Sequence, residues 1–149
     1  MLLKDICTVN VACCHRNTSI HEAARLMREH HTGDLIVVDD VDARRVPAGI
    51  VTDRDIVIHV LAGERDVATT RVADIMVAQL VIGEGAEDVA VGVQRMRQHG
   101  VRRLPVVDRQ GSLIGIVTLD DLFSAHARQA RELASILSKE QDHEQRASL

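Results

Sequence analysis

Aromatic residues are almost absent from this sequence, which contains one phenylalanine, Phe123, and no tryptophan or tyrosine. Proteins that bind single-stranded RNA or DNA usually stack bases on aromatic rings, so this absence argues against such partners. The formal net charge of −4 gives no general attraction to a phosphate backbone. Apolar residues make up 46% of the chain, so we expect an aliphatic core and no nucleic-acid partner.

Long apolar runs are also missing. No segment approaches the roughly 20 apolar residues that are needed to span a bilayer. The first five residues lack the basic start and long apolar segment that are typical of a signal peptide. We therefore expect a cytoplasmic location and no membrane partner.

Cysteine is too scarce, and too badly spaced, for a disulfide framework. The three cysteines are Cys7, Cys13 and Cys14, and two adjacent cysteines cannot easily bridge each other. No C-x-x-C pair is present, so we expect no metal site. A soft metal site that combines these thiols with His15 and nearby histidines remains an alternative. Otherwise Cys13, which alternates with Val11, is a small apolar residue of a strand.

The sequence does contain an internal repeat. A shift of 69 residues superposes Asp5 on Asp74, Met27 on Met96, His30 on His99 and Leu35 on Leu104. Between Gly49 and Gly115 the shift becomes 66, and the difference falls in a polar turn that is shorter in the second copy. A length change that is confined to a turn is typical of two related folded units.

Each copy follows the order β-α-β-β-α. In the first copy we predict strands at residues 9–13, 35–38 and 49–52, and helices at 19–31 and 54–61. In the second copy we predict strands at 80–82, 104–107 and 113–117, and helices at 88–99 and 120–128. Residues 62–71 join the copies, and residues 72–76 form a short lead-in helix.

These elements predict a mixed α/β (α+β) fold of two tandem units, residues 1–66 and 67–126, followed by a helical tail at 127–149. The central strands are apolar on both faces, so each sheet must be covered on both sides. Units of roughly 60 residues are marginal on their own. We therefore expect the two units to pack sheet against sheet as a pseudo-twofold pair.

The most specific repeated segment is Gly-Ile-Val-Thr-x-x-Asp, at residues 49–55 and 115–121. The β-branched pair favours a buried strand, and Thr followed three residues later by Asp favours the first turn of a helix. In that position the hydroxyl and the carboxylate cap free backbone N–H groups. The sequence leaves open whether Thr and Asp are caps alone or also hold a ligand.

Each of these segments follows a Val-Val-Asp strand, and each unit begins with an Asp-Ile lead-in. With these features the chain resembles the CBS-domain pair, or Bateman module. The resemblance covers about residues 1–126. It implies two β-α-β-β-α units back to back, a dimer of such modules, and adenosine-containing ligands in the clefts between the sheets. The ligands implied are AMP, ADP, ATP or S-adenosylmethionine.

The resemblance assigns the ribose hydroxyls to Asp121 and Asp55, and ribose or phosphate to Thr118 and Thr52. Arg102 and Arg103 stand where related nucleotide-binding modules often carry basic residues, and Pro105 follows in the same strand. The first unit has Gly33 and Asp34 instead, and an acid repels phosphate. We therefore expect the cleft of Arg102, Arg103, Thr118 and Asp121 to be the better nucleotide site. We expect Arg54 to compensate partly in the other cleft. The alternative for Arg102 and Arg103 is that they are solvated charges or pair with acids across a dimer.

The tail is rich in helix-favouring residues from about Ala125. Ala130, Leu133, Ile136 and Leu137 form a narrow apolar stripe, which we expect to pack on the module or on a dimer mate. From about residue 141 we expect a frayed end. A coiled coil would need more heptads than are present.

The sequence therefore predicts a stand-alone regulatory module that binds an adenosine-containing ligand and signals to a separate effector protein. No nucleophile–base pair or Walker-type phosphate loop is visible, so we expect no enzyme activity and no required cofactor. One alternative is a structural or interaction module with empty clefts. Another is a metal-responsive protein that uses the cysteines and histidines.

Overall fold

The structure, a computed structural model, describes residues 1–148, and across these residues the chain forms two three-stranded sheets flanked by helices. The first unit contains β1 (Cys13–Cys14), α2 (Ile20–Glu29), β2 (Asp34–Val41), β3 (Arg44–Thr52) and α3 (Asp53–Asp55), after a lead-in helix α1 (Leu3–Ile6). α3 continues as a π-helical segment, Ile56–Leu61. The second unit contains β4 (Gly83–Glu84), α4 (Val89–His99), β5 (Arg103–Val107), β6 (Leu113–Thr118) and α5 (Leu119–Ala147), after a 3-10 turn at Val72–Asp74. The predicted mixed α/β fold is confirmed.

The two sheets have the same topology. In each, a short first strand pairs parallel to the second strand, and the second pairs antiparallel to the third. A bulge interrupts the antiparallel ladder between Val37 and Val38 in one sheet, and between Val106 and Val107 in the other. Because the same irregularity recurs at matching positions, the sequence repeat is a structural repeat.

The lead-in segments cross between the units. Leu3 N donates to Glu87 O at 3.0 Å, and 69 residues later Val72 N donates to Thr18 O at 2.9 Å. The side chain of Leu3 is fully buried in the core of the second unit, whereas Val72 is buried in the core of the first. Each unit is therefore completed by residues that precede the other unit in the chain.

A third apolar cluster lies between the two sheets. It contains buried Ile36, Val38 and Leu113, and partly buried Ile50 and Ile116 pack against it. These residues come from β2 and β3 of the first unit and from β6 of the second. The two sheets therefore cover each other, as the apolar faces of the strands predict.

The predicted first strands of both units lie too early in the sequence. β1 begins at Cys13 instead of residue 9, and β4 begins at Gly83 instead of residue 80. The preceding segments pair with the other unit instead, since Thr8 exchanges two backbone hydrogen bonds with Ile116, and Val77 does the same with Ile50, at 2.9–3.0 Å. An apolar pattern marks these segments as extended but does not identify the strand with which they pair.

The last predicted helix and the predicted helical tail form one uninterrupted helix. α5 is one continuous helix of 29 residues, Leu119–Ala147, so the predictions of a helix end near residue 128 and of fraying from residue 141 are wrong for the described residues. Leu149, the last residue of the predicted tail, lies outside them. Ala125 is the last buried residue, and every residue from 126 to 148 is exposed. Leu133, Ile136 and Leu137 therefore do not pack on their own module, which was one of the two predicted partners.

The sequence predicts no membrane-spanning segment, and the helices can be compared with that expectation. In the part of the chain that the structure describes, no helix is both long enough and apolar enough to cross a bilayer.

Candidate functional site

Both Gly-Ile-Val-Thr-x-x-Asp segments form a strand that runs directly into a capped helix. Thr118 Oγ1 accepts from the backbone N of Asp121 at 3.1 Å, and Asp121 Oδ2 accepts from the backbone N of Thr118 at 2.9 Å. Thr52 and Asp55 make the same two hydrogen bonds at the same lengths. The capping role is therefore present in both copies.

The caps do not use all of the polar atoms. Within residues 1–148, Asp121 Oδ1 and the hydroxyl proton of Thr118 have no hydrogen-bond partner. In the first copy, His59 Nε2 lies 4.0 Å from Asp55 Oδ1, and the matching position in the second copy is Ala125. Asp121 Oδ1 is therefore more accessible to a ligand than Asp55 Oδ1, which has the His59 imidazole beside it.

Thr118 and Asp121 open into a cleft of about 290 Å³ between the two units, which we call the central cleft. Its volume lies just below the range of roughly 300–1,000 Å³ that is typical of small-molecule sites. Unit 1 and the segment before it contribute Thr8, Asn10, Val11, Ala12, His30, Thr32, Asp34 and Ile36, and unit 2 contributes Arg103, Ile116, Thr118 and Asp121. The cleft therefore combines aliphatic walls with hydroxyl, carboxylate and guanidinium groups.

Asp34 and Arg103 face each other in the central cleft. The 69-residue shift superposes Asp34 on Arg103. Two equivalent residues can touch each other only near the pseudo-twofold axis, so this pair marks the position of the axis. Nε of Arg103 forms an ion pair with Asp34 Oδ2, and Thr32 Oγ1 donates to Asp34 Oδ1 at 2.9 Å. Asp34 was expected to weaken only the first-unit cleft, but the structure places it beside Arg103, Thr118 and Asp121.

A second cleft, of about 640 Å³, matches part of the central cleft in the other half of the molecule. Its lining residues Gln79, Leu80 and Val81 correspond to Asn10, Val11 and Ala12 of the central cleft. Thr52 and Asp55 are not among its lining residues, which are completed by Ile82, Arg95, His99 and Val101. The two clefts therefore differ in their lining. The central cleft contains Thr118 and Asp121, whereas the second cleft lacks the equivalent Thr52 and Asp55.

The three other predicted site residues, Arg102, Pro105 and Arg54, do not line the central cleft. Arg102 lines a crevice of about 240 Å³ that shares Arg103 and Thr118 with the central cleft. Leu119 N donates to Arg102 O at 2.9 Å, which fixes this arginine beside the start of α5. Pro105 is fully buried, so its side chain belongs to the core and not to a cleft wall. Arg54 is exposed and does not line the central cleft.

The surroundings of the three cysteines favour the protonated thiol. Burial raises the pKa of the Cys14 thiol to about 12 and also raises the pKa of Cys13. Burial, and to a smaller extent the charge of Asp121, raises the pKa of Cys7. A thiol must lose its proton to act as a nucleophile or metal ligand. Among residues 1–148, no group of three or more His, Cys, Asp or Glu residues is placed to hold a metal ion.

Sequence reasoning missed several residues of the central cleft, among them Asn10, His30 and Thr32. Asn10 and Thr32 lie outside the repeated Gly-Ile-Val-Thr-x-x-Asp segments, so their types gave no signal. The position of Asp34 could have been inferred, because the repeat equates this acid with Arg103, and opposite charges at equivalent positions can pair across a twofold axis.

The protein is a tandem-repeat module. Its two equivalent α/β units exchange their lead-in segments and pack sheet against sheet. The family model of the CBS domain matches residues 3–62 and 72–128. The chain therefore belongs to the CBS domain family and contains two copies of the domain.

Known relatives agree with this assignment. The CBS domain-containing protein YhcV of Bacillus subtilis is 42% identical over 120 residues, which cover 80% of this chain and 81% of that protein. The structure of the CBS domain pair of protein MJ0100, in complex with 5′-methylthioadenosine and S-adenosyl-L-methionine, is similar with a TM-score of 0.73 and 28% identity. The match covers 87% of this chain and 98% of that one.

A further similar structure is that of Hypoxic Response Protein I with two coordinated zinc ions. Its TM-score is 0.71, with 32% identity, and the match covers 83% of this chain and 98% of that one. Similar CBS pairs have therefore been seen with an adenosyl ligand in one case and with zinc in another.

Proposed function

We propose that this CBS pair is a regulatory module that binds an adenosine-containing ligand in the central cleft and carries out no chemistry of its own. The observation that carries the proposal is the placement of Asp121 and Thr118, with unused hydrogen-bonding capacity, in a partly aliphatic cleft between the units. A carboxylate accepts well from a ribose diol, and Val11, Ile36 and Ile116 offer apolar surface to a base. The adenosyl complex of MJ0100 supports this ligand class.

The position of the central cleft at the start of α5 also suggests how ligand binding would be transmitted to an effector protein. Thr118 and Asp121 form the first turn of α5, and a helix of 29 residues extends about 44 Å. A ligand that contacts both residues and the facing unit would fix the orientation of α5 relative to unit 1. The exposed part of α5 would then present the bound state to an effector protein, whose identity is unknown.

We expect at least one adenosyl compound to bind the wild-type protein with a stoichiometry of one per chain. Isothermal titration calorimetry with 5′-methylthioadenosine, S-adenosylmethionine, AMP, ADP, ATP and NAD measures this directly. A thermal-shift series provides a second readout, because a ligand that binds only the native state raises its apparent stability. If none of these compounds binds at millimolar concentration, the proposal is wrong and the module with empty clefts is favoured.

The metal-responsive alternative is tested separately. The zinc ions of Hypoxic Response Protein I favour it, whereas the lack of a ligand cluster in residues 1–148 opposes it. Elemental analysis of protein that is purified without a histidine tag distinguishes the two readings. Stoichiometric zinc would support the metal-responsive function.

We also propose that a second copy of the chain covers the exposed stripe of α5. Leu133, Ile136 and Leu137 are 59–66% exposed, which leaves a continuous apolar face in water. With histidine counted as neutral, the inner part of this helix has a formal charge of +1, from Arg128, Arg131 and Glu132. The outer part has a formal charge of −1, from Lys139, Glu140, Asp142, Glu144 and Arg146. Two antiparallel copies would place each basic part opposite an acidic part, so this pairing fits the charges better than a parallel one.

The double substitution Leu133→Glu and Leu137→Glu is expected to convert the dimer to a monomer, because it places four charges in the proposed interface. Light scattering coupled to size-exclusion chromatography measures the mass, which is 16.4 kDa for one chain. The matched control is Ser135→Glu with Ser138→Glu, which changes the other face of the same helix and should leave a dimer. A monomeric wild type, or a double Leu variant that remains dimeric, would contradict this interface.

A further inference from the structure

The charge balance of the central cleft is unusual for a site that binds phosphorylated nucleotides. Two carboxylates, of Asp34 and Asp121, and one guanidinium, of Arg103, line it. His30 adds an imidazole to the same wall. The one guanidinium that could meet a phosphate therefore shares the cleft with two carboxylates.

Arg103 is exposed to the cleft, with 45% of its side chain accessible, but it is already paired with an acid. Its Nε is paired with Oδ2 of Asp34, and the Asp34 side chain is only 11% exposed. Because this carboxylate is largely buried, a ligand that withdrew the guanidinium would leave its charge poorly compensated. A phosphate that met the exposed part of the guanidinium would lie close to the Asp34 carboxylate, which is a like charge.

The other arginine does not compensate for this. Arg102 lines the neighbouring crevice and is exposed, so water and salt screen its charge. A phosphate placed there would also lie near the exposed Asp120, which lines the same crevice.

We infer that the Asp34–Arg103 pair selects against 5′-phosphates, so that the central cleft prefers adenosyl ligands with an uncharged or cationic 5′-substituent. A thioether is uncharged and needs no cationic partner, and a sulfonium would be attracted by the two carboxylates. Asp34 is thus a specificity-determining residue, while Asp121 and Thr118 hold the ribose. This inference rests on the proposed function, because it concerns the same cleft.

The first test compares ligands that differ only at the 5′ position. We expect wild-type protein to bind 5′-methylthioadenosine at least about 10-fold more tightly than AMP, and ATP to bind no better than AMP. Calorimetry at constant ionic strength measures all three dissociation constants. If AMP or ATP binds as tightly as 5′-methylthioadenosine, the charge selection is wrong and the proposed function stands. If no compound binds, the proposed function fails.

The second test removes the charge of Asp34 and keeps its shape. Asp34→Asn still accepts a hydrogen bond from Thr32 and frees Arg103, so we expect AMP to bind about 10-fold more tightly, whereas affinity for 5′-methylthioadenosine changes less than about threefold. The matched control, Asp40→Asn, removes an exposed acid outside the central cleft and should change neither affinity. Unchanged AMP binding by an Asp34→Asn variant that still binds 5′-methylthioadenosine would overturn the inference. If this variant does not fold, the wild-type ligand comparison decides.

Discussion

Replacement of Asp121 by alanine is expected to lower the affinity for 5′-methylthioadenosine by about 100-fold, because two hydrogen bonds from the ribose to a charged carboxylate are lost. Asp55→Ala is expected to lower it less than about threefold. The basis of the difference is that Asp121 lines the central cleft, whereas Asp55 does not line either of the two related clefts. Calorimetry on both variants measures the two losses.

Asp55→Ala is a close control for the structural effect of the substitution. Both aspartates accept from the backbone N of a threonine at 2.9 Å, so both variants lose the same helix cap, which is worth about 1 kcal/mol. A fall in stability that is common to both variants therefore reports the cap alone. Equal losses of ligand affinity would contradict the inequality between the two copies.

Replacement of Leu3 by alanine is expected to lower the free energy of unfolding by about 3–4 kcal/mol, although the residue lies next to the chain terminus. Its side chain is fully buried against Leu104 and other core residues of the second unit. Because the lead-in segment joins one unit to the other, we also expect one cooperative unfolding transition. Urea denaturation, followed by circular dichroism, measures both the stability and the cooperativity.

The control for this prediction is Leu61→Ala, since Leu61 is 64% exposed. It should change the free energy of unfolding by less than about 0.5 kcal/mol. Similar effects of the two substitutions, or separate transitions for the two units, would show that α1 does not form part of the core of the second unit.

The repeat and the local signals of the sequence account for most of the fold. Ser19 and Asp88 cap α2 and α4 at the predicted starts of these helices, residues 19 and 88, and Gly100 ends α4 with a positive φ of 63°. These features depend on neighbouring residues, which the sequence displays directly. The capping geometry of Thr118 and Asp121 was predictable for the same reason.

The features that were not predictable depend on contacts between distant residues. The exchange of the lead-in segments follows from pairing of Thr8 with Ile116 and of Val77 with Ile50, which periodicity within a short segment cannot specify. The meeting of Asp34 with Arg103 depends on the pseudo-twofold axis. The continuity of α5 is a different case, because no glycine or proline follows Gly115, so the signal for one uninterrupted helix was present in the sequence.

The most direct test of the account is a crystal structure of the wild-type protein soaked with 5′-methylthioadenosine. The account predicts the nucleoside in the central cleft, with a ribose hydroxyl about 2.5–3.0 Å from Asp121 Oδ1 and the base against Val11 and Ile116. The Asp34–Arg103 ion pair should remain intact in that complex. A nucleoside bound in the second cleft beside Arg95 and His99, with the central cleft empty, would contradict the account.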